Sequence, residues 1–313
     1  MKTLIKILFL SFIICSCSNN DDSNNQNDSE LILKEVSQLR ESTSTSDFSF
    51  EKYHYREDGN PIRYEQFYEN STTNIRDTQR IYYNSDNSID SIYIATSNFP
   101  GHVKYNYQNT ELQSFDVLWF QLQPGTYSFT YNDNEIIMTF DSFYEFDNSF
   151  EQTKYTFNNS NYDLLISLVE NKNNFTIKRD FTYDSNSNVT SIVESKYIAD
   201  IDDYVIWRTK NFTYDDKINP YKNNTVSVPA ILNNFGVQLF SFILQDNKIS
   251  SNNILNITSN IPSSNTINVI EYEYEYNDLD YPISSVETVS NINNDNGSQD
   301  FYSTVVYKTY TYY

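Results

Sequence analysis

Phe181-Thr182-Tyr183-Asp184-Ser185-Asn186-Ser187-Asn188-Val189 is the stretch from which the fold is read. Two rings flank a threonine, a run of Asp, Ser and Asn follows, and a β-branched residue opens the next segment. In an extended chain successive side chains alternate, so Phe181 and Tyr183 share one face and Thr182 takes the other. Asn and Asp tolerate the left-handed backbone geometry of tight turns, so the polar run predicts a hairpin tip.

The same unit recurs along the chain. Tyr53-His54-Tyr55 precedes a turn at Asp58-Gly59-Asn60-Pro61, Tyr82-Tyr83 precedes Asn84, and Tyr105-Asn106-Tyr107 precedes Gln108-Asn109. Phe129-Thr130-Tyr131, Tyr155-Thr156-Phe157, Phe212-Thr213-Tyr214 and Tyr274-Glu275-Tyr276 are each followed by Asn or Asp. The second aromatics, at 55, 83, 107, 131, 157, 183, 214 and 276, are spaced by 28, 24, 24, 26, 26, 31 and 62 residues. This is an internal repeat, the last gap reading as two periods. A second alternating stretch follows each turn, such as Val189, Ser191, Val193 or Ile89, Ile92, Ile94. The fold class is therefore all-β: a long antiparallel meander of repeated β-hairpins forming a large curved or barrel-like sheet.

Residues 223–253 break the pattern. Pro229 to Leu232 and Phe235 to Leu244 are apolar on several sides and free of charge until Asp246, which predicts a short helical or irregular insertion covering an end or face of the sheet.

The N-terminus carries Lys2 and Lys6 before an apolar core, Ile7 to Ile14, far shorter than the roughly 20 residues of a spanning helix. Residues 1–16 thus read as an export signal. Ile14-Cys15-Ser16-Cys17 resembles a lipobox, which implies a diacylglyceryl thioether on Cys17 and acylation of its new amino group, enough for stable anchoring. Cys15 leaves with the signal, so no disulfide is expected within the mature chain. Residues 17–30 are Ser, Asn, Asp and Gln almost throughout and read as an acidic tether. An acidic patch after the lipidated cysteine resembles the surface-export signal of Bacteroidota-type lipoproteins, which implies an outer-membrane location facing the cell exterior. The remainder, 31–313, reads as one repetitive β domain.

The chain carries 21 Lys+Arg against 42 Asp+Glu, a formal charge of -21, and losing Lys2 and Lys6 leaves 19 against 42, or -23. Such a balance repels phosphate backbones, so no nucleic-acid partner is expected. With 28 Tyr and 21 Phe against 5 Gly and 2 Met, the body suits pleated sheet and turns.

The Phe-Thr-Tyr-Asp units, Tyr274-Glu275-Tyr276-Asn277 with Tyr281-Pro282, and Asp215-Asp216-Lys217-Ile218-Asn219-Pro220-Tyr221 resemble Bacteroidota lipoproteins of an uncharacterised domain family with a porin-superfamily-like β fold. They resemble more distantly the tyrosine-aspartate repeats of shell-forming toxin proteins, from which the chain departs in its few glycines. The resemblance implies fold and location and brings no functional residues.

Only His54 and His102 exist, and there is no HExxH, phosphate loop, nucleophile elbow or cysteine-histidine pair. A zinc or thiol enzyme is excluded, and no metal or other cofactor is expected. Asp184 to Asn188 imitates a calcium loop but lacks its glycine and distal Glu, so the turn is the preferred reading. Tyr272, Tyr274, Tyr276, Tyr307, Tyr310 and Tyr312 form aromatic rows that suit sugar rings or peptides, the alternative being cross-strand packing. The reading that follows is a lipid-anchored surface protein without enzymatic activity, binding a glycan, peptide or protein or serving as an envelope component. Its alternatives are an integral outer-membrane β-barrel and a glycan-degrading enzyme using paired carboxylates.

Overall fold

Each aromatic unit is the end of one strand and each polar run a reversal. The computed structural model describes residues 31–42, 47–95, 101–109, 111–119, 125–142, 151–160, 164–172, 175–221, 250–264, 266–293 and 298–313. In order the strands are β1 (Leu33–Ser42), β2 (Phe48–Tyr55), β3 (Pro61–Phe67), β4 (Ile75–Tyr83), β5 (Ile89–Ala95) and β6 (Gly101–Gln108). Next come β7 (Glu111–Trp119), β8 (Gly125–Asn132), β9 (Glu135–Ser142), β10 (Glu151–Phe157), β11 (Leu165–Lys172) and β12 (Phe175–Tyr183). The last are β13 (Val189–Ile198), β14 (Asp203–Ile218), β15 (Asn252–Asn260), β16 (Thr266–Tyr276), β17 (Pro282–Asn293) and β18 (Gln299–Tyr312).

Every strand pairs antiparallel with its sequence neighbours, and β1 also pairs with β18 from Leu33↔Tyr312 to Ser42↔Thr304, so the 18-stranded sheet closes on itself. The expected meander is thus a closed barrel, and closure removes the free edges that invite aggregation. Leu31–Tyr313 forms one compact unit.

Four of the reversals share one geometry. In 56–60, 84–88, 184–188 and 277–281 the first residue's N–H reaches the fifth's carbonyl, and the fourth's N–H reaches the first's carbonyl. The fourth residue has positive φ: Gly59 82°, Asn87 67°, Ser187 64° and Asp280 62°. Side-chain oxygens complete the loops, Asp86 accepting from Ser88 N–H at 3.0 Å and Asn277 from Leu279 and Tyr281 N–H at 3.0 Å. This is why Asn and Asp dominate the tips.

After the turn, strict alternation fails. Tyr83 pairs with Ile89 and Tyr82 with Ser91, so Asp90 is an extra residue. The same skip occurs at Lys34, Ile62, Gln113, Ile166, Thr190, Leu255 and Ile283. A bulge keeps residues three apart on one face, as Ile89 and Ile92 are, both buried. The alternation expected over Val189, Ser191 and Val193 is therefore corrected: Val189 and Ile192 are the buried pair, and Ser191 and Val193 turn the other way. The hairpin of β8 and β9 lacks the skip, with Tyr131↔Ile136 and Asn132↔Glu135 in continuous register.

Two further corrections concern the repeat and the insertion. Tyr214 lies near the end of β14 and Tyr276 ends β16, so the 62-residue gap spans one hairpin with a long link between its strands, not two periods. A ninth unit, Tyr310-Thr311-Tyr312, ends β18 with no turn after it. The insertion expected over 223–253 lies outside the described residues as far as 249. Its last residues join β15 at Asn252, and no helix occurs among the described residues, so its helical reading is not supported.

One face of the barrel wall is apolar and packed. Val36, Tyr55, Ile92, Ile94, Val103, Ile136, Met138, Tyr155 and Phe157 are each exposed by 2% or less. Side chains this large are covered to that degree only where walls face one another, so this is the concave face. Tyr221, from the loop after β14, confirms it: its ring lies 6.4 Å from Tyr55 on β2 and 6.3 Å from Tyr310 on β18, strands far around the ring from its own. Two clusters, one from β1 through β11 and one from β12 through β16, meet at Phe181.

The second aromatic of five units has a further job. The hydroxyl of Tyr83 donates to the carbonyl of Pro61 at 2.6 Å, Tyr131 to Leu112, Tyr183 to Leu165, Tyr214 to Val189 and Tyr312 to Pro282, each at 2.7 Å. All five acceptors are first core residues of a bulged strand, where the ladder is interrupted and a carbonyl needs another partner. Phe157, which has no hydroxyl, follows the β8–β9 hairpin, whose register has no bulge.

Candidate functional site

Charged side chains enter the concave face at one level of the wall. On β11 to β14, Glu170, Arg179, Glu194 and Arg208 share the inward phase of Leu168, Phe181, Ile192 and Phe212. Arg179 pairs with Glu170 and, at 3.4 Å, with Glu194. Arg208 grips Glu194 with two hydrogen bonds of 2.8 and 2.9 Å, the fork geometry that suits a carboxylate. Glu194 is buried, and its two guanidinium partners offset the cost of desolvating it.

On the other arc, Gln38 donates to Glu51 at 3.3 Å and the Tyr53 hydroxyl to the same carboxylate at 2.7 Å. The buried Lys308 reaches Glu287 at 3.4 Å and lies 5.8 Å from the centre of the Tyr272 ring. Each of these carboxylates is held by a cation, an amide or a phenol, which orders the interior.

Five of the six row tyrosines belong to this interior. Tyr272 and Tyr274 stack at 6.3 Å, Tyr276 lies 5.9 Å from Tyr274, and the Tyr276 hydroxyl bonds Asp215. Tyr310 meets Tyr221 and the Ser285 hydroxyl at 3.1 Å, while Tyr312 packs on Tyr281 at 5.4 Å. Tyr307 stands on the opposite, outer face, 41% exposed. The rows are packed on one another, and Tyr307 is not part of them. Burial pushes the interior phenols up, Tyr107 to about 12 and Tyr53, Tyr105, Tyr221 and Tyr274 well above the usual range. Cys17 lies outside the described residues.

The outer face is mixed, with ion pairs beside exposed Tyr82, Tyr93, Leu118 and Tyr307. His54, expected on the face away from its neighbouring tyrosines, lies there with Nδ1 3.2 Å from Glu35 and Nε2 2.9 Å from Glu65. Lys104 pairs with Asp90, Lys154 with Glu135 at 3.1 Å and Lys52 with Glu35 at 3.5 Å. Asp184 accepts from the N–H groups of Asn186 and Asn188 at 2.8 and 2.9 Å and from the Asn188 amide at 3.0 Å, the work of a turn. Among the described residues no group of three or more His, Cys, Asp or Glu is placed to hold a metal ion.

The inward charges of β11 to β14 escaped the sequence reading. Their signal was parity: Arg179 falls in step with Phe181 and Tyr183, the phase assigned to the core.

No family model matches the chain, and no curated protein does. Among solved structures, a porin-like protein from Bacteroides uniformis ATCC 8492 aligns over 90% of this chain and 96% of its own, with 12% identity and a TM-score of 0.49. A porin-like protein from Bacteroides vulgatus ATCC 8482 aligns over 91% and 99%, with 12% identity and a TM-score of 0.40. At this overlap no activity is carried over from either to this chain.

Proposed function

We propose that this chain is a non-enzymatic β-barrel of the outer membrane, held to it by lipid on Cys17 and standing in water as an envelope module that is structural or binds a glycan, peptide or protein. The observation that carries the reading is the division of the wall: the apolar face is turned inward and packed, while ion pairs such as Lys154 with Glu135 lie on the outer face. A lipid-facing band is apolar, and a Lys or Arg near the bilayer midplane costs about 2–4 kcal/mol. With the tyrosine rows filling the interior, a ligand meets the outer wall and the two ends.

A second reading, the integral outer-membrane barrel, is favoured by closure itself, since a ladder without edges is the one sheet form a bilayer accepts. Expression of a Cys17→Ser variant separates the two. The first reading expects it free in detergent-free buffer and without hydrolytic activity on glycans. Retention in the membrane fraction until detergent is added would establish the second.

A further inference from the structure

The hairpin of β13 and β14 outgrows the barrel. Pairing of β12 with β13 ends at Ile177↔Lys196, and pairing of β14 with β15 begins at Thr209↔Asn260. Beyond these limits Tyr197 and Ile198 pair only with Tyr204 and Asp203, and Asp203 to Arg208 pair only with β13. The ribbon therefore carries free backbone along Asp203 to Arg208 on its β14 side and at Tyr197 and Ile198 on its β13 side, the kind of edge that templates another strand.

Its side chains are unusual for a solvated tip. Ile201 is 59% exposed, Ile206 50% and Val205 47%, with Tyr197, Ile198 and Tyr204 exposed beside them. The charges are segregated along its length. Asp200, Asp202 and Asp203 sit at the tip, whereas Lys196 sits at the base with its ammonium 4.4 Å from the Trp207 ring and no carboxylate partner among the described residues. At the edge the Tyr204 N–H donates to the exposed Asp203 carboxylate at 2.7 Å, a bond that an incoming carbonyl can replace.

We propose that this ribbon is a self-docking edge whose occupant is the same ribbon of a second copy of the chain, paired antiparallel about a two-fold axis. In that arrangement the acidic tip of one copy lies against the Lys196 base of the other, and the exposed apolar residues between them face each other. The charge order, acid at the tip, apolar in the middle and base at the root, is complementary to itself only when reversed. An anionic lipid surface is a poorer occupant because three aspartates lead the tip. The tip is also at the barrel end opposite Leu31, whose N–H contacts Tyr281 beside the 277–281 turn. A ribbon of this size covers less than the about 1,600 Å² of a standard interface, so association is weak.

Sedimentation of the purified full chain, in detergent if it needs one, over low to high micromolar concentration tests this. Reversible dimerisation is expected, weakened about tenfold or more by Val205→Lys, by Ile206→Lys or by Asp202→Lys. All three substitutions fall on exposed tip residues, and circular dichroism checks that the barrel is intact. Mixing Asp202→Lys with Lys196→Asp should restore association between the two proteins when neither dimerises alone. A wild-type chain that stays monomeric throughout, association indifferent to these substitutions, or binding of the tip to phosphatidylglycerol vesicles in place of dimerisation would each overturn the proposal.

Discussion

Replacing Tyr131 with Phe removes one oxygen and tests the link between bulge and tyrosine. The hydroxyl donates to the Leu112 carbonyl at 2.7 Å, beside the skipped residue Gln113, while the ring stays packed against the core in either variant. A typical hydrogen bond contributes about 0.5–1.5 kcal/mol net, and a polar group left without a partner costs about 1–3 kcal/mol. Tyr131→Phe should therefore destabilise by about 1–2 kcal/mol, lowering the melting temperature by roughly 2–4 °C per kcal/mol in a large domain. The reverse change, Phe157→Tyr, puts a hydroxyl into a site that is 1% exposed, next to a hairpin whose ladder is unbroken. It should stabilise nothing and cost about 1–3 kcal/mol. Urea unfolding followed by circular dichroism reads both as shifts in midpoint at constant slope. The reasoning is refuted if Tyr131→Phe is neutral, or if Phe157→Tyr stabilises as much as the native latches do.

Two further outcomes follow from the interior and the turns. Twelve phenols, those of Tyr53, Tyr55, Tyr64, Tyr83, Tyr105, Tyr107, Tyr155, Tyr183, Tyr221, Tyr274, Tyr276 and Tyr312, are held above the ordinary value of 10.0, with burial the leading cause. An acid raised in the folded state contributes stability below its unfolded pKa and loses it as pH rises toward the folded one. Each phenol then withdraws about 1.4 kcal/mol per pH unit above 10, so the barrel should unfold within roughly one unit. Phenolate absorbance and loss of circular dichroism should rise in a single step; ionisation of most tyrosines with structure retained would contradict this. Ser187→Gly, at φ 64° where the equivalent loop uses Gly59, should stabilise by about 0.5–1 kcal/mol in thermal melts. An unchanged or lowered melting temperature would show that the left-handed backbone is not strained.

The hairpins were legible because their signal is local: aromatic pairs at strand ends and Asn or Asp at the tip, as in Tyr274-Glu275-Tyr276-Asn277. The bulges were not, since the extra residue can be Lys34, Gln113 or Ile283 and has no chemistry of its own. Their trace was the spacing of three between Ile89 and Ile92, which strict alternation forbids. The 62-residue gap misled because its length fits two periods, while β14 and β15 are consecutive, paired strands joined by 219–251. Closure was legible only as a tendency to curve, because pairing Leu33 with Tyr312 joins the two ends of the repeat and leaves no local mark. The buried charges at Arg179 and Glu194 were hidden for another reason: on a wall of this kind a charged residue in core phase is expected only if its partners are known, and those lie on neighbouring strands.

The abundance of tyrosine has a geometric cause that joins these parts. Eight strands make a barrel whose side chains just fill its interior, whereas 18 enclose a much wider space. Valine or isoleucine from opposite walls would not meet across it. Rings set two deep on the even-numbered strands, as in Tyr53 with Tyr55 and Tyr105 with Tyr107, reach further, and Tyr221 reaches from the loop after β14 to Tyr55 on β2 and Tyr310 on β18. Such rings bring hydroxyls into the interior, and the bulges meet five of them, those of Tyr83, Tyr131, Tyr183, Tyr214 and Tyr312. Tyr53 bonds Glu51 instead, and the buried hydroxyls of Tyr55 and Tyr105 have no hydrogen-bond partner among the described residues.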